Sequence, residues 1–293
     1  MKQAFLFPGQ GSEVPGMGGA LLERPGPVRD LLSRASKALG FDLAAAIARG
    51  APSLARTEVS QPALAAVCIG SSLELAAGGV RPDAVCGHSV GELAAFCVAG
   101  CLEPEEAIDC AIDRGRLMGA AARRSPGGMC AVRVREAELP AVLAAADVEL
   151  AAHNAPEEWV VTGGRAALAA VAARFPTVPL RVAGPWHSRA MAGAEAAFRE
   201  RLRRVCWQRP RIPLAANATG AWVAHEDLAD LLAGQLTHPV RWAGTLDTLA
   251  RAGVTTWRVI GPARVLRGLC RANLGASARV IASEGGELQE ARA

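Results

Sequence analysis

Apolar positions along the chain follow two periods, one near 3.6 and one near 2, and the two alternate in blocks. Phe5–Phe7 reads as a short buried strand halted by Pro8-Gly9. From Val28 to Ala48, Leu31, Leu32, Ala35, Leu39 and Leu43 recur at helical spacing, and Gly40 divides the run into two helices. Gln61-Pro62 opens a further helix, with proline in the tolerated first turn, running through Leu73 and Leu75 to Gly78-Gly79. Ala84–Cys86 predicts a strand. Val90–Val98 predicts a helix with Val90, Leu93, Ala94, Cys97 and Val98 on one stripe, and Glu105–Ala122 another helix.

Beyond Ser125-Pro126-Gly127-Gly128 the texture changes. Met129–Val134 alternates as a strand, Glu136–Ala146 reads as a helix, and Val148–Ala152 and Trp159–Thr162 as strands. Ala166–Phe175 is a helix and Val178–Val182 a strand. That order, strand-helix-strand-strand-helix-strand, is the ferredoxin-like pattern. The expected fold is therefore α/β: a large α/β-hydrolase-like domain with a parallel-sheet core, plus a small ferredoxin-like α+β subdomain inserted in it. The domain expectation is 1–125 and 185–293 for the large part and 126–184 for the insert. The large part resumes with a helix over Ser188–Val205, and the tail from Ser283 to Ala293 is expected to be loose. No repeat or low-complexity segment stands out.

Composition narrows the function classes. A chain 51% hydrophobic and 20% charged reads as globular. No run approaches the roughly 18 uninterrupted apolar residues of a membrane span. The first residues look like a strand rather than a leader, and cytoplasmic localisation is the expectation. A net charge of +4 with 4% aromatics and no polybasic tail argues against nucleic acid. The eight cysteines never form Cys-x-x-Cys and sit in mostly apolar surroundings, so small buried thiols are expected, and no metal site. The densest basic stretch, Arg199, Arg201, Arg203, Arg204, Arg209 and Arg211, reads first as a solvated helix face and second as a docking patch for an acidic protein.

Gly87-His88-Ser89-Val90-Gly91 fits G-x-S-x-G between a strand and a helix, the context that motif requires. Such a turn exposes the serine oxygen at a helix N-terminus, where free N–H groups favour negative charge. Ser89 is thus the candidate nucleophile, against the alternative of an ordinary helix cap. A serine needs a base. Among His88, His153, His187, His225 and His238, His187 lies at the seam where the insert returns to the large domain. Any single histidine is ordinarily structural, and the residues alone leave this open.

Seven segments then stand in one order: "FLFPGQGS" (Phe5–Ser12), "SQPAL" (Ser60–Leu64), "GHSVGE" (Gly87–Glu92), "RGRLM" (Arg114–Met118), "HNAPEEWVVTG" (His153–Gly163), "WHSRAM" (Trp186–Met191) and "HPVRW" (His238–Trp242). Together they resemble the malonyl-CoA:acyl-carrier-protein transacylase family, which includes polyketide synthase acyltransferases, and "VIGPARVLRGL" (Val259–Leu269) extends the likeness. The resemblance implies Ser89 as acylated nucleophile, His187 as general base oriented by a backbone carbonyl around Gln235, and the amides of Gln10 and Val90 as oxyanion hole. It implies Arg114 as the ligand of a substrate carboxylate, and His88, Trp186, Asn154 and Gln61 as pocket residues. No bound cofactor is implied. Malonyl-CoA is the donor, the phosphopantetheine of an acyl carrier protein the acceptor, and a monomer the default state.

Two positions depart from the commonest family pattern. Glu13 replaces a glutamine and is expected to matter little. Pro185-Trp186 precedes the histidine, where bulky Trp186 would crowd an α-methyl branch and favours malonyl over methylmalonyl. Alternatives are an acyl-thioester hydrolase of the same fold, against which Arg114 argues, and a non-catalytic carrier-binding module, against which the intact Ser89, His187, Gln10 and Arg114 argue. The sequence does not separate fatty acid from polyketide biosynthesis.

Overall fold

The computed structural model describes residues 1–50 and 52–284. Strand β1 (Lys2–Phe7) leads into helices α1 (Pro27–Leu39), α2 (Leu43–Arg49) and α3 (Thr57–Ala77). Strand β2 (Ala84–Gly87) leads into α4 (Gly91–Val98) and α5 (Pro104–Arg124). A second group comprises β3 (Gly128–Arg133), α6 (Leu139–Ala144), β4 (Val148–Ala155), β5 (Glu158–Gly163), α7 (Arg165–Ala172) and β6 (Thr177–Pro179). The chain returns through α8 (Ala192–Leu202), β7 (Leu214–Ala215), α9 (Leu228–Gly234), α10 (Trp242–Arg251), β8 (Val254–Ile260), α11 (Arg264–Leu274) and β9 (Arg279–Ser283).

Five strands form one parallel sheet in the order β7-β2-β1-β8-β9. Ala4–Phe7 and all of β2 are buried on both faces, which is why these strands are continuous apolar runs rather than alternating ones. Phe7 pairs with Gly87, so the loops that follow β1 and β2 emerge side by side at the carboxyl edge. That edge of an open parallel sheet is where ligands bind. Helix α3 is long and apolar enough to cross a membrane by length and composition, but 83% of its apolar window is buried inside the fold. It is the central core helix, packed on α1 and α5.

The second sheet is antiparallel in the order β4-β5-β3-β6, the ferredoxin-like arrangement expected from the strand and helix order. Its period-2 alternation divides the labour of its two faces. Cys130, Val132, Trp159 and Val161 form a small core with Val142 and Val171 of α6 and α7. Met129, Ala131 and Val160, one position out of phase, line a cleft towards the large sheet. Val240 bonds backbone to backbone with Ala151 and His153, tying the β4 edge to the large part.

Several boundaries differ from the sequence expectation. Helix α3 begins at Thr57, so Pro62 lies inside it and withholds one ladder bond; burial of sixteen of its residues outweighs that loss. The Glu136–Ala146 helix opens with a 3-10 turn at Glu136–Glu138, and the Ser188–Val205 helix with one at Arg189–Met191. Strand β6 stops at Pro179, which lacks an amide donor, and Leu180–Val182 turn to the cleft instead. Helix α4 is buried on all sides rather than along one stripe. Ser283 closes β9 opposite Ile260, whereas residues 285–293 of the expected loose tail lie outside the described residues. All eight cysteines are free thiols and seven are buried.

Candidate active site

Among the described residues only two non-glycine residues have positive φ, Ser89 at 52° and His187 at 58°. Such backbone is costly for a side-chain-bearing residue and persists only where its surroundings enforce it. At Ser89 the enforcement is visible. A Cβ on Gly87 would lie 2.1 Å from the Gly91 backbone, and one on Gly91 would lie 2.2 Å from the Phe7 carbonyl oxygen. Both flanking positions therefore admit only glycine. The Ser89 amide donates to Asn217 Oδ1 at 2.7 Å, and Asn217 Nδ2 donates to the Gly87 carbonyl.

Ser89 Oγ lies 2.9 Å from His187 Nε2, and His187 Nδ1 lies 2.8 Å from the Gln235 carbonyl oxygen. A carbonyl only accepts, so Nδ1 carries the proton and the Nε2 lone pair faces the serine. Gln235 follows the last turn of α9, where helix carbonyls lack intrahelical partners. A helix end thus orients the imidazole, the part a carboxylate plays in a Ser-His-Asp triad. Burial, with the Arg114 guanidinium nearby, pushes the His187 imidazole down to about 3, so it is neutral across the physiological range.

The Gln10 and Val90 amides bond to no described residue, although both sit at the carboxyl edge beside Ser89. Gln10 is held through its side chain, whose Oε1 accepts from Thr57 Oγ1 at 2.6 Å. Glu13 has a larger part than expected: its Oε2 accepts the Gly11 amide at 2.8 Å and braces the same loop.

Arg114 is 1% exposed, whereas Arg116, two residues on, reaches outward to the Ala38 carbonyl. Arg114 Nη1 donates to Gln61 Oε1 at 2.8 Å and Nη2 to Gln235 Oε1 at 2.6 Å, with Nη2 also 3.4 Å from Ser89 Oγ. Nη1 keeps a second hydrogen, and the second Nη2 hydrogen makes only the long contact to Ser89 Oγ, so a carboxylate that displaces that contact is gripped at two points. An acyl group without a carboxylate therefore leaves the guanidinium partly satisfied rather than bare. Burial brings Arg114 down to about 10, which leaves it charged, and Glu92 opposes that shift.

The pocket residues named from the sequence converge. Gln61, His88, Asn154 and Trp186 all line a cleft of about 320 Å³ together with Ser89 and His187. His88 Nε2 meets Asn154 Oδ1 at 3.0 Å, joining the elbow to β4. Sequence reasoning missed Glu92, Asn217 and the side chain of Gln235. The one charge in the α4 sequence GELAAFCV was a readable signal for Glu92; nothing near Asn217 marks it out. Arg199, Arg201 and Arg203 are engaged with Glu195, Asp230, Glu106, Asp113 and Glu200, so much of the basic stretch is neutralised within the fold.

The depressed His187 predicts an acid-sensitive fold. A base held at about 3 against an ordinary 6.5 resists protonation when folded, so the stability it contributes is lost as pH falls through that window. Glu92, raised by burial to about 7, acts in the opposite sense between 4.5 and 7 and masks the effect in the intact protein. The unfolding free energy of wild type minus that of His187→Gln is therefore expected to fall by about 1.4 kcal/mol per pH unit between pH 6 and 4. Urea unfolding at three pH values measures it. A pH-independent difference would show that His187 ionises freely in the fold.

The acyl transferase domain family matches residues 4–256. The malonyl CoA-acyl carrier protein transacylase of Bacillus subtilis is 33% identical over 286 residues, covering 92% of this chain and 90% of that protein. The polyketide biosynthesis protein ThaF of Burkholderia thailandensis is 36% identical over 282 residues, but this chain spans only 24% of its length. The crystal structure of malonyl-CoA:ACP transacylase from Synechocystis superposes with a TM-score of 0.91 at 30% identity, covering 99% of this chain and 100% of that one. By the length of these matches, and by the motifs that build the site, the chain belongs to the acyl transferase domain family, in its malonyl-CoA:acyl-carrier-protein transacylase group.

Proposed function

We propose that this chain moves a malonyl group from malonyl-CoA to the phosphopantetheine thiol of an acyl carrier protein through an ester on Ser89. The observation that carries this reading is the line of groups from the Gln235 carbonyl through His187 to Ser89 Oγ, with the Arg114 guanidinium 3.4 Å from that oxygen. The names of relatives support donor and acceptor.

In the first half-reaction Ser89 Oγ attacks the thioester carbonyl while its proton passes to His187 Nε2. Negative charge on the former carbonyl oxygen falls between the Gln10 and Val90 amides. The carbon–sulfur bond breaks, coenzyme A leaves with the proton from His187, and malonyl-Ser89 remains. In the second half the carrier thiol gives its proton to His187 and attacks the ester. The carbon–oxygen bond breaks and Ser89 recovers the proton. Arg114 holds the distal carboxylate throughout. Trp186 on the cleft wall crowds an α-methyl branch and favours malonyl over methylmalonyl. We read the chain as a monomeric cytoplasmic enzyme without a bound cofactor, in a large domain (1–125 and 185–293) and an insert (126–184).

Intact-protein mass after mixing with malonyl-CoA, methylmalonyl-CoA or acetyl-CoA tests the reading. Malonyl-CoA is expected to add one malonyl group, absent in Ser89→Ala, and acetyl-CoA to leave the mass unchanged. Release of coenzyme A with no adduct would favour the hydrolase. A stable acetyl adduct would overturn the carboxylate requirement.

A further inference from the structure

Gln235 occupies an unusual position: its backbone carbonyl orients His187, while its side-chain oxygen accepts from Arg114 at 2.6 Å. One residue thus touches both the base and the carboxylate clamp. An amide side chain has two orientations that are sterically alike and differ only in where donor and acceptor fall. In the orientation present, Gln235 Nε2 donates to the Ser89 carbonyl at 3.0 Å and to Glu92 Oε2, leaving the oxygen free for the guanidinium. The flipped orientation would set acceptor against acceptor at Ser89 and Glu92, and donor against donor at Arg114.

Glu92 is 1% exposed on α4. Its other oxygen accepts from the Asn217 amide at 2.6 Å and from Asn217 Nδ2 at 3.3 Å. It therefore receives donors on both oxygens and is itself fixed by the residue that holds the Ser89 amide. Nothing in the acyl-transfer steps uses this carboxylate, yet it lies at the junction of nucleophile, base and clamp.

We propose that Glu92 is a positioning residue: it locks the Gln235 amide in one orientation, so that the amide oxygen holds Arg114 in register with Ser89. The proposal rests on the reading of Ser89 as acyl site and Arg114 as carboxylate site. Its consequence is selective. Glu92 governs how well a carboxylated acyl group is aligned, and the intrinsic reactivity of Ser89 with His187 depends on it much less, because that pair is joined through the Gln235 backbone.

Two rates separate these effects: kcat/KM for malonyl-CoA with a holo carrier protein, and sulfonylation of Ser89 by phenylmethanesulfonyl fluoride, which has no carboxylate. In Glu92→Gln the new amide must turn its NH2 towards a donor, and the malonyl rate is expected to fall at least 30-fold with sulfonylation within threefold of wild type. Glu92→Asp keeps the charge but withdraws the carboxylate, and the same split is expected; it also carries the test if Glu92→Gln fails to fold. With Gln235→Leu in the background, Glu92→Gln is expected to have no further effect on the malonyl rate.

A parallel fall of both rates, wild-type behaviour in Glu92→Asp, or an undiminished effect in the Gln235→Leu background would each overturn the proposal, the second by showing that only charge matters and the last by showing that Glu92 acts through something other than the Gln235 amide. Wild-type enzyme that is sulfonylated but takes no malonyl group would overturn the acyl-transfer reading and this proposal with it. Wild-type malonylation with a parallel fall overturns the Glu92 proposal alone.

Discussion

His187→Ala is expected to lower the rate of malonyl transfer by about 10²- to 10⁴-fold, the range for loss of a positioned general base. Ser89→Ala is expected to abolish the acyl-enzyme altogether. The two results differ because the groups do different things. Without Ser89 there is no atom to acylate. Without His187 the hydroxyl remains on a strained turn beside two unbonded amides, and a slow attack assisted by solvent base persists. His187→Ala should therefore still accumulate malonyl-Ser89 over long incubation, visible by mass, and its rate should rise with pH because hydroxide replaces the imidazole. Wild type, with His187 neutral above about 3, is expected to show no acid limb from this group near neutrality. Unimpaired acylation in His187→Ala would remove the histidine from the mechanism despite its 2.9 Å contact with the serine.

Much of this site was legible in the sequence because its strongest constraints are local. Gly87 is forced by contacts under 2.5 Å inside one strand–turn–helix, and Gly91 by the Phe7 carbonyl of the adjacent strand, so the glycine pair marks one tight turn seated against β1. The small sheet was equally readable, since the two-residue alternation in β3 reports two faces, one to the helices and one to the cleft. His187 was not chosen by any local signal. Its partner lies 98 positions away in sequence and its orienting carbonyl 48 away, so only the resemblance selected it from five histidines.

Side-chain roles set by distant partners were missed or undervalued. Asn217 meets Ser89 across 128 positions and Gln235 meets Arg114 across 121. Gln235 was foreseen for its carbonyl, and its amide could not be, because an isolated glutamine carries no mark of what it holds. Helix α3 began four residues early because tertiary burial outweighs the cost of an interior proline. Glu13 was expected to matter little, yet a carboxylate two residues on folds back to the Gly11 amide.

Arg114→Ala is expected to lower kcat/KM for malonyl-CoA roughly 10²- to 10⁴-fold, since two charge-assisted bonds contribute about 1.5–3 kcal/mol each and 1.4 kcal/mol is tenfold in rate. Acetyl-CoA is expected to become a better donor. On the proposed mechanism, wild-type Arg114 is expected to disfavour acetyl less by being left bare, since Gln61 and Gln235 already hold it, than by its charge beside Ser89 and His187. That guanidinium is 3.4 Å from Ser89 Oγ and is the second cause, after burial, of the depressed His187 basicity. A malonyl carboxylate bound there would offset the charge at the moment of attack, whereas acetyl would leave it standing. Removing the arginine removes the repulsion for both donors, so His187 moves back up towards its ordinary 6.5 and the acid limb of Ser89 sulfonylation shifts to higher pH. Arg114→Lys separates the two contributions. It keeps the charge and loses the fork, so it is expected to lose malonyl affinity without gaining acetyl transfer and without moving the acid limb. Acetyl transfer that rises equally in both variants would trace selectivity to the shape of the fork, and an acid limb unmoved in Arg114→Ala would show that the guanidinium does not reach the histidine electrostatically.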